Sequence, residues 1–67
     1  MQFELQDDYI ELYKLLKVLD LVESGAQAKM IIADAHVKRN GEIELRKRAK
    51  IVKGDVIEVA DAVIEVV

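Results

Sequence analysis

The sequence predicts an α+β fold, two packed N-terminal helices against a small, mainly antiparallel β-sheet, and three observations carry that prediction. Leu12, Leu15, Leu16 and Leu19 recur at i, i+3, i+4 and i+7, the apolar stripe of an amphipathic helix. Ala28, Ile31, Ile32 and Ala35 form a second stripe behind a helix-start signal at Ser24. After Ala35 the apolar period changes to alternation, and Asn40-Gly41 is a strong two-residue hairpin turn, since both residues tolerate positive φ.

The elements follow in order. Gln2-Phe3-Glu4-Leu5 alternates and reads as an edge strand with Phe3 and Leu5 facing inward. Asp7 and Asp8 precede a helix over Tyr9 to Leu19, an acidic start that suits the macrodipole, with Lys14 and Lys17 on the polar face and Lys14 near Glu11. Ser24 and Gln27 form an S-x-x-Q capping box, in which serine accepts a backbone N–H and glutamine reaches back to the cap. The two helices are expected to pack stripe to stripe. Val37 and Ile43 flank the hairpin turn, and Leu45 to Ile51 reads as extended, with Arg46, Arg48 and Lys50 on one side. Lys53-Gly54-Asp55 is a turn before a strand from Val56 to Val59, and the last strand runs from Ala62 to Val67 with Ile64 and Val66 inward.

With 67 residues the chain is expected to form one domain, and its 52% hydrophobic content supplies the core that a domain of this size needs. There is no cysteine, which excludes disulfides, catalytic thiols and cysteine-based zinc sites. No secretory signal and no run of about 18 apolar residues is present, so a soluble, cytoplasmic protein with no membrane partner is expected.

The formal net charge is −3, but the charges are segregated. Residues 38 to 53 hold seven bases (Lys38, Arg39, Arg46, Lys47, Arg48, Lys50, Lys53) against Glu42 and Glu44, a local balance of +5. That leaves three bases and eleven acids, −8, for the rest. Screening over about 8 Å at physiological salt makes a bound phosphate respond to the local patch. Nucleic acid is therefore the expected partner.

The ordered spacing L-x-x-L-L, S-x-x-x-A-x-x-x-I, V-x-x-N-G and G-D-x-I resembles the RNA-binding domain of the ribosomal protein S-four type, the αL motif, over nearly the whole chain. More narrowly, Glu23-Ser24-Gly25-Ala26-Gln27-Ala28-Lys29 with Arg46-Lys47-Arg48-x-Lys50-Ile51-Val52 resembles the stand-alone, YbcJ-like bacterial members of that family. The resemblance implies a compact module that grips structured RNA. It places Ser24, Gln27 and Lys29 at the second-helix edge, Lys38 and Asn40 on the hairpin, and Arg46, Lys47 and Arg48 on the basic run; Arg39 and Lys50 of the same segment complete the candidate RNA-binding set. Two positions depart from the family pattern: Ala35 stands where glycine is usual, and Arg39 where an apolar residue is common. Alanine resists the left-handed conformation of a helix exit, and Arg39 is read either as part of the basic surface or as solvated.

The only aromatic residues, Phe3, Tyr9 and Tyr13, lie outside the basic segment in sequence, so recognition of folded or double-stranded RNA through its backbone is favoured over base stacking. No nucleophile has a recognisable base and no glycine-rich phosphate loop exists, so no enzyme and no cofactor is expected. His36 is the only histidine and is read as structural or incidental. A ubiquitin-like carrier is set aside because the chain ends Val66-Val67 without a Gly-Gly tail. A DNA-reading helix is disfavoured by Gly25, Ala26, Ala28 and Ala33, which offer no base-reading groups. The remaining alternative is a protein-interaction module or small adaptor subunit using the outward Val63 and Val67, with a monomer favoured over a dimer.

Overall fold

The computed structural model describes residues 1–67. Two short strands, β1 (Gln2–Phe3) and β2 (Ile10–Glu11), precede the helices α1 (Leu12–Val18) and α2 (Gly25–Ala33). The chain then forms β3 (Val37–Arg39), β4 (Glu42–Ile43), β5 (Lys50–Ile51), β6 (Val56–Val59) and β7 (Ala62–Val66). The main sheet has the order β1-β7-β6-β3-β4, and β2 pairs with β5 in a separate antiparallel ribbon. The α+β class holds. The sheet is mixed, however, because β1 lies parallel to β7, whereas the other neighbours are antiparallel.

One apolar cluster of 14 buried residues joins the layers: Leu12, Leu15 and Leu16 of α1 and Ala28 and Ile32 of α2 meet Val37, Ile57, Ile64 and Val66 of the sheet. The alternation read for the last strand is present, with Ile64 and Val66 buried and Val63 and Val67 exposed. Leu5 is buried, and Phe3 packs against the core from the edge strand.

The first helix is shorter than its apolar period predicts. Ile10 and Glu11 pair with Ile51 and Lys50, so the helix begins at Leu12, and Asp7 and Asp8 lie ahead of β2 instead of at its first turn. The Leu12 and Tyr13 N–H groups, free of partners within the helix, donate to the carbonyls of Ala49 and Lys47 at 3.0 Å each. The expected extended run from Leu45 is also corrected. Residues 46–49 form a turn closed by the Ala49 N–H on the Arg46 carbonyl, and only Lys50 and Ile51 are strand. Ala49, an apolar residue within the basic run, is buried, and it anchors the loop to α1.

Ser24 caps α2 by accepting the Gln27 N–H at 3.1 Å, while Gln27 Oε1 accepts the N–H of Glu23, one residue before the cap. Both helices end in the same hydrogen-bonded exit. At α2 the His36 N–H reaches the Ile31 carbonyl and the Ala35 N–H the Ile32 carbonyl; at α1 Leu21 reaches Leu16 and Asp20 reaches Lys17. The residues at the left-handed position are Ala35 at φ 64° and Asp20 at φ 62°. Ala35 thus leaves the apolar stripe and is exposed, yet it makes the turn that glycine usually makes. The hairpin between β3 and β4 turns at Asn40 (φ 53°) and Gly41 (φ 85°), the two positive angles of a type I′ turn.

Candidate nucleic-acid interface

The ties from α1 to Lys47 and Ala49 set the basic loop beside both helices. A depression of about 430 Å³ is lined by Lys29 and Ala33 of α2 and by Leu45, Arg46, Lys47 and Arg48. A second, of about 380 Å³, is lined by Arg39, Arg46, Arg48, Ala49 and Lys50. They share Arg46 and Arg48, so one basic surface runs from Lys29 to Lys50.

Carboxylates sort the cations on this surface. Arg46 Nε and Nη2 donate to the two oxygens of Glu44 at 3.1 Å each, although 74% of the Arg46 side chain stays exposed. That hydrogen bonding holds the Glu44 carboxyl below its usual range despite partial burial. Arg48 Nε lies 3.9 Å from Glu11, which also holds Lys14 Nζ at 3.2 Å. Lys29, Lys38, Lys47 and Lys50 have no carboxylate within ion-pair distance.

Arg39 and Asn40 have internal partners. Arg39 Nη2 and Nε donate to Asp55 Oδ2 at 2.9 and 3.2 Å, and Nη2 also donates to the Lys50 carbonyl at 2.9 Å. Asn40 Nδ2 donates to Asp55 Oδ1 at 3.0 Å, and its Oδ1 accepts the Val56 N–H at 2.8 Å. The Val52 N–H is a further donor to Asp55 Oδ2. Burial alone would raise the Asp55 carboxyl, but these donors and the Arg39 charge outweigh it and hold the group below the usual carboxylate range. Arg39 lines the second depression, yet it is not simply solvated: its guanidinium is paired, with only 23% of the side chain exposed.

The remaining candidates line neither of these two depressions. Ser24 and Gln27 have their oxygens engaged in the α2 cap and line neither depression. Lys38 is exposed on β3, between Ile43 and Glu58 in register. Asn40 lines a third depression with Glu42 and Glu44, which borders the basic surface through Arg39 and Arg46.

The aromatic residues are where sequence separation misleads. Lys50 Nζ lies 5.0 Å from the centroid of the Tyr9 ring, and Lys29 Nζ 4.9 Å from that of Tyr13. Both rings therefore adjoin the basic surface, because β2 pairs with β5 and α1 packs on α2. No group of three or more His, Cys, Asp and Glu side chains is placed to hold a metal ion. No helix is long and apolar enough to cross a membrane.

A small α+β domain that sets a helix pair and a basic loop on a mixed sheet is the class that these features define. The chain belongs to the S4 domain family, whose model matches residues 3–67. It is 48% identical over 59 residues to YbcJ of Escherichia coli, covering 88% of this chain and 84% of that protein. It is 35% identical over 52 residues to the "Probable ribosome maturation protein RlbA" of Bacillus subtilis, covering 78% of this chain and 73% of the relative. The solution structure of Escherichia coli YbcJ, described as having an αL motif involved in RNA binding, matches with a TM-score of 0.75 at 45% identity, over 98% of this chain and 85% of that one. Ribosomal protein S4e from Thermoplasma acidophilum matches with a TM-score of 0.70 at 25% identity, over 87% of this chain and 31% of its own.

Proposed function

We propose that residues 1–67 act as one RNA-binding unit, a monomer that grips structured or double-stranded RNA by its backbone and performs no chemistry on it. The observation that carries the reading is the continuous surface from Lys29 through Arg46, Lys47 and Arg48 to Lys50 in a chain that is otherwise acidic. Lys29, Lys47 and Lys50 offer charges without carboxylate partners, while Arg46 and Arg48 are exposed enough to exchange Glu44 and Glu11 for phosphate. Arg39 and Asn40 serve by holding this surface in shape through Asp55, and Ser24 and Gln27 by fixing the start of α2. Membership of the S4 domain family and the likeness to YbcJ, with its RNA-binding αL motif, support the same reading. The name of the RlbA relative makes ribosomal RNA the first RNA to test.

The test is crosslinking in cells followed by sequencing of the bound RNA, with an Arg46→Ala, Lys47→Ala, Arg48→Ala triple variant in parallel. All three side chains are exposed, so the variant is expected to fold, which circular dichroism checks. RNA recovery falls sharply for the variant if the surface is the binding site. Equal recovery from both proteins contradicts the proposal and favours the adaptor reading.

A further inference from the structure

A concavity of about 1040 Å³, open to solvent, lies between the segment Gln6–Glu11 and the outer face of α1. It adjoins the basic surface but differs from it in chemistry. Tyr9 and Tyr13 line it together with Ile10 and Val18, and Tyr9 is 44% exposed. Cations stand at the rings: Lys50 at Tyr9, and Lys14 and Lys29 at Tyr13, at 4.9 to 5.9 Å from the centroids. Lys14 and Lys17 line its α1 side, where Lys14 pairs with Glu11, and the unpaired carboxylates of Asp7 and Asp8 line the opposite side.

This combination selects among the parts of a nucleotide. Carboxylates repel a phosphate, so the acidic side of the concavity does not continue the phosphate-binding surface. They accept hydrogen bonds from a neutral base edge, and an exposed tyrosine ring offers the flat apolar face on which a base stacks. The lysine at Tyr9 comes from the end of the basic loop and stands over one face of the ring, which leaves the other face for a base.

We infer that this concavity receives one unpaired base of the bound RNA, stacked on Tyr9, while the paired backbone lies on the surface from Lys29 to Lys50. The inference rests on the RNA-binding reading above and adds an unpaired nucleotide to the structured RNA that it takes. Guanine suits the site best, because its Watson–Crick edge presents two adjacent donors to carboxylates.

The experiment compares two hairpin RNAs that share one stem, fully paired in the first and carrying a single bulged guanosine in the second. Their affinities are measured for the unmodified protein, Tyr9→Phe and Tyr9→Leu, with tyrosine fluorescence as a direct report of stacking. The unmodified protein prefers the bulged hairpin by roughly 5-fold to 150-fold, the worth of one stacked base. Tyr9→Phe keeps that preference. Tyr9→Leu, which retains apolar bulk and loses the ring, brings the ratio to about one. A ratio near one for the unmodified protein, or an unchanged ratio in Tyr9→Leu, overturns this inference and leaves the RNA-binding reading standing. Failure to bind either hairpin overturns both.

Discussion

Asp55 is the one buried charged residue, 7% exposed, and it shows how a single carboxylate shapes this surface. It accepts hydrogen bonds from the side chains of Arg39 and Asn40 and from the Val52 N–H, and so joins the tip of the β3–β4 hairpin to the loop before β6. Truncation leaves the Arg39 guanidinium and the Asn40 amide without their partner. Asp55→Ala is expected to lose about 2 to 4 kcal/mol in urea denaturation at pH 7. The pH dependence has a definite sign. The folded-state pKa is depressed, so the unfolded chain binds the proton more readily. The contribution of Asp55 is complete above the ordinary carboxylate value, about 3.9, and is lost as pH falls through the lower folded value. Glu44, depressed by its hydrogen bonds from Arg46, adds to the same acid limb. Denaturation at pH 7, 5 and 3 should show this contribution unchanged between pH 7 and 5 and a loss of stability by pH 3, with a shallower loss in Asp55→Asn. An equal fall in both proteins contradicts this role for Asp55.

Ala35 brings the argument to the elements, because it sets how α2 hands the chain to β3. It holds φ 64° while its own N–H and that of His36 close the helix exit, a conformation that costs an L-residue about 1 to 2 kcal/mol. Ala35→Gly relieves this at a smaller entropic cost in the unfolded chain, a net gain of about 0.5 to 1 kcal/mol. Thermal denaturation should show a melting temperature higher by a few degrees, and an unchanged or lower one contradicts the assignment. Elements defined by local chemistry were readable from the residues alone. The Ser24 cap, the Asn40-Gly41 hairpin and the alternation at Ile64 and Val66 each depend on near neighbours. What local pattern does not encode is pairing over distance. Ile10 and Glu11 fall within the helix span read from Tyr9 to Leu19, yet Ile51 and Lys50 draw them into a ribbon. The basic run alternates well enough for a strand, but its carbonyls serve the first turn of α1, which requires a turn at residues 46–49. The candidate site divides in the same way. Arg46, Lys47 and Arg48 were visible as a charge run, whereas the pairing of Arg39 with Asp55 and the place of Tyr9 at Lys50 depend on contacts across 16 and 41 positions of sequence.

At the scale of the whole molecule, a protein of net charge −3 presents six of its ten Lys and Arg residues on one continuous surface. Acidic residues elsewhere, among them Asp20, Glu23, Asp34, Asp61 and Glu65, are exposed and disfavour polyanion contact away from that surface. Binding that neutralises about four phosphates by the surface from Lys29 to Lys50 must release counterions in proportion. The most direct measurement is therefore the affinity of the unmodified protein for a paired hairpin RNA across a salt series. A slope of the logarithm of affinity against the logarithm of salt of roughly −3 to −4 is predicted, with a distinctly shallower slope in the Arg46→Ala, Lys47→Ala, Arg48→Ala variant. A flat response, or the same slope in both proteins, contradicts backbone recognition by this surface.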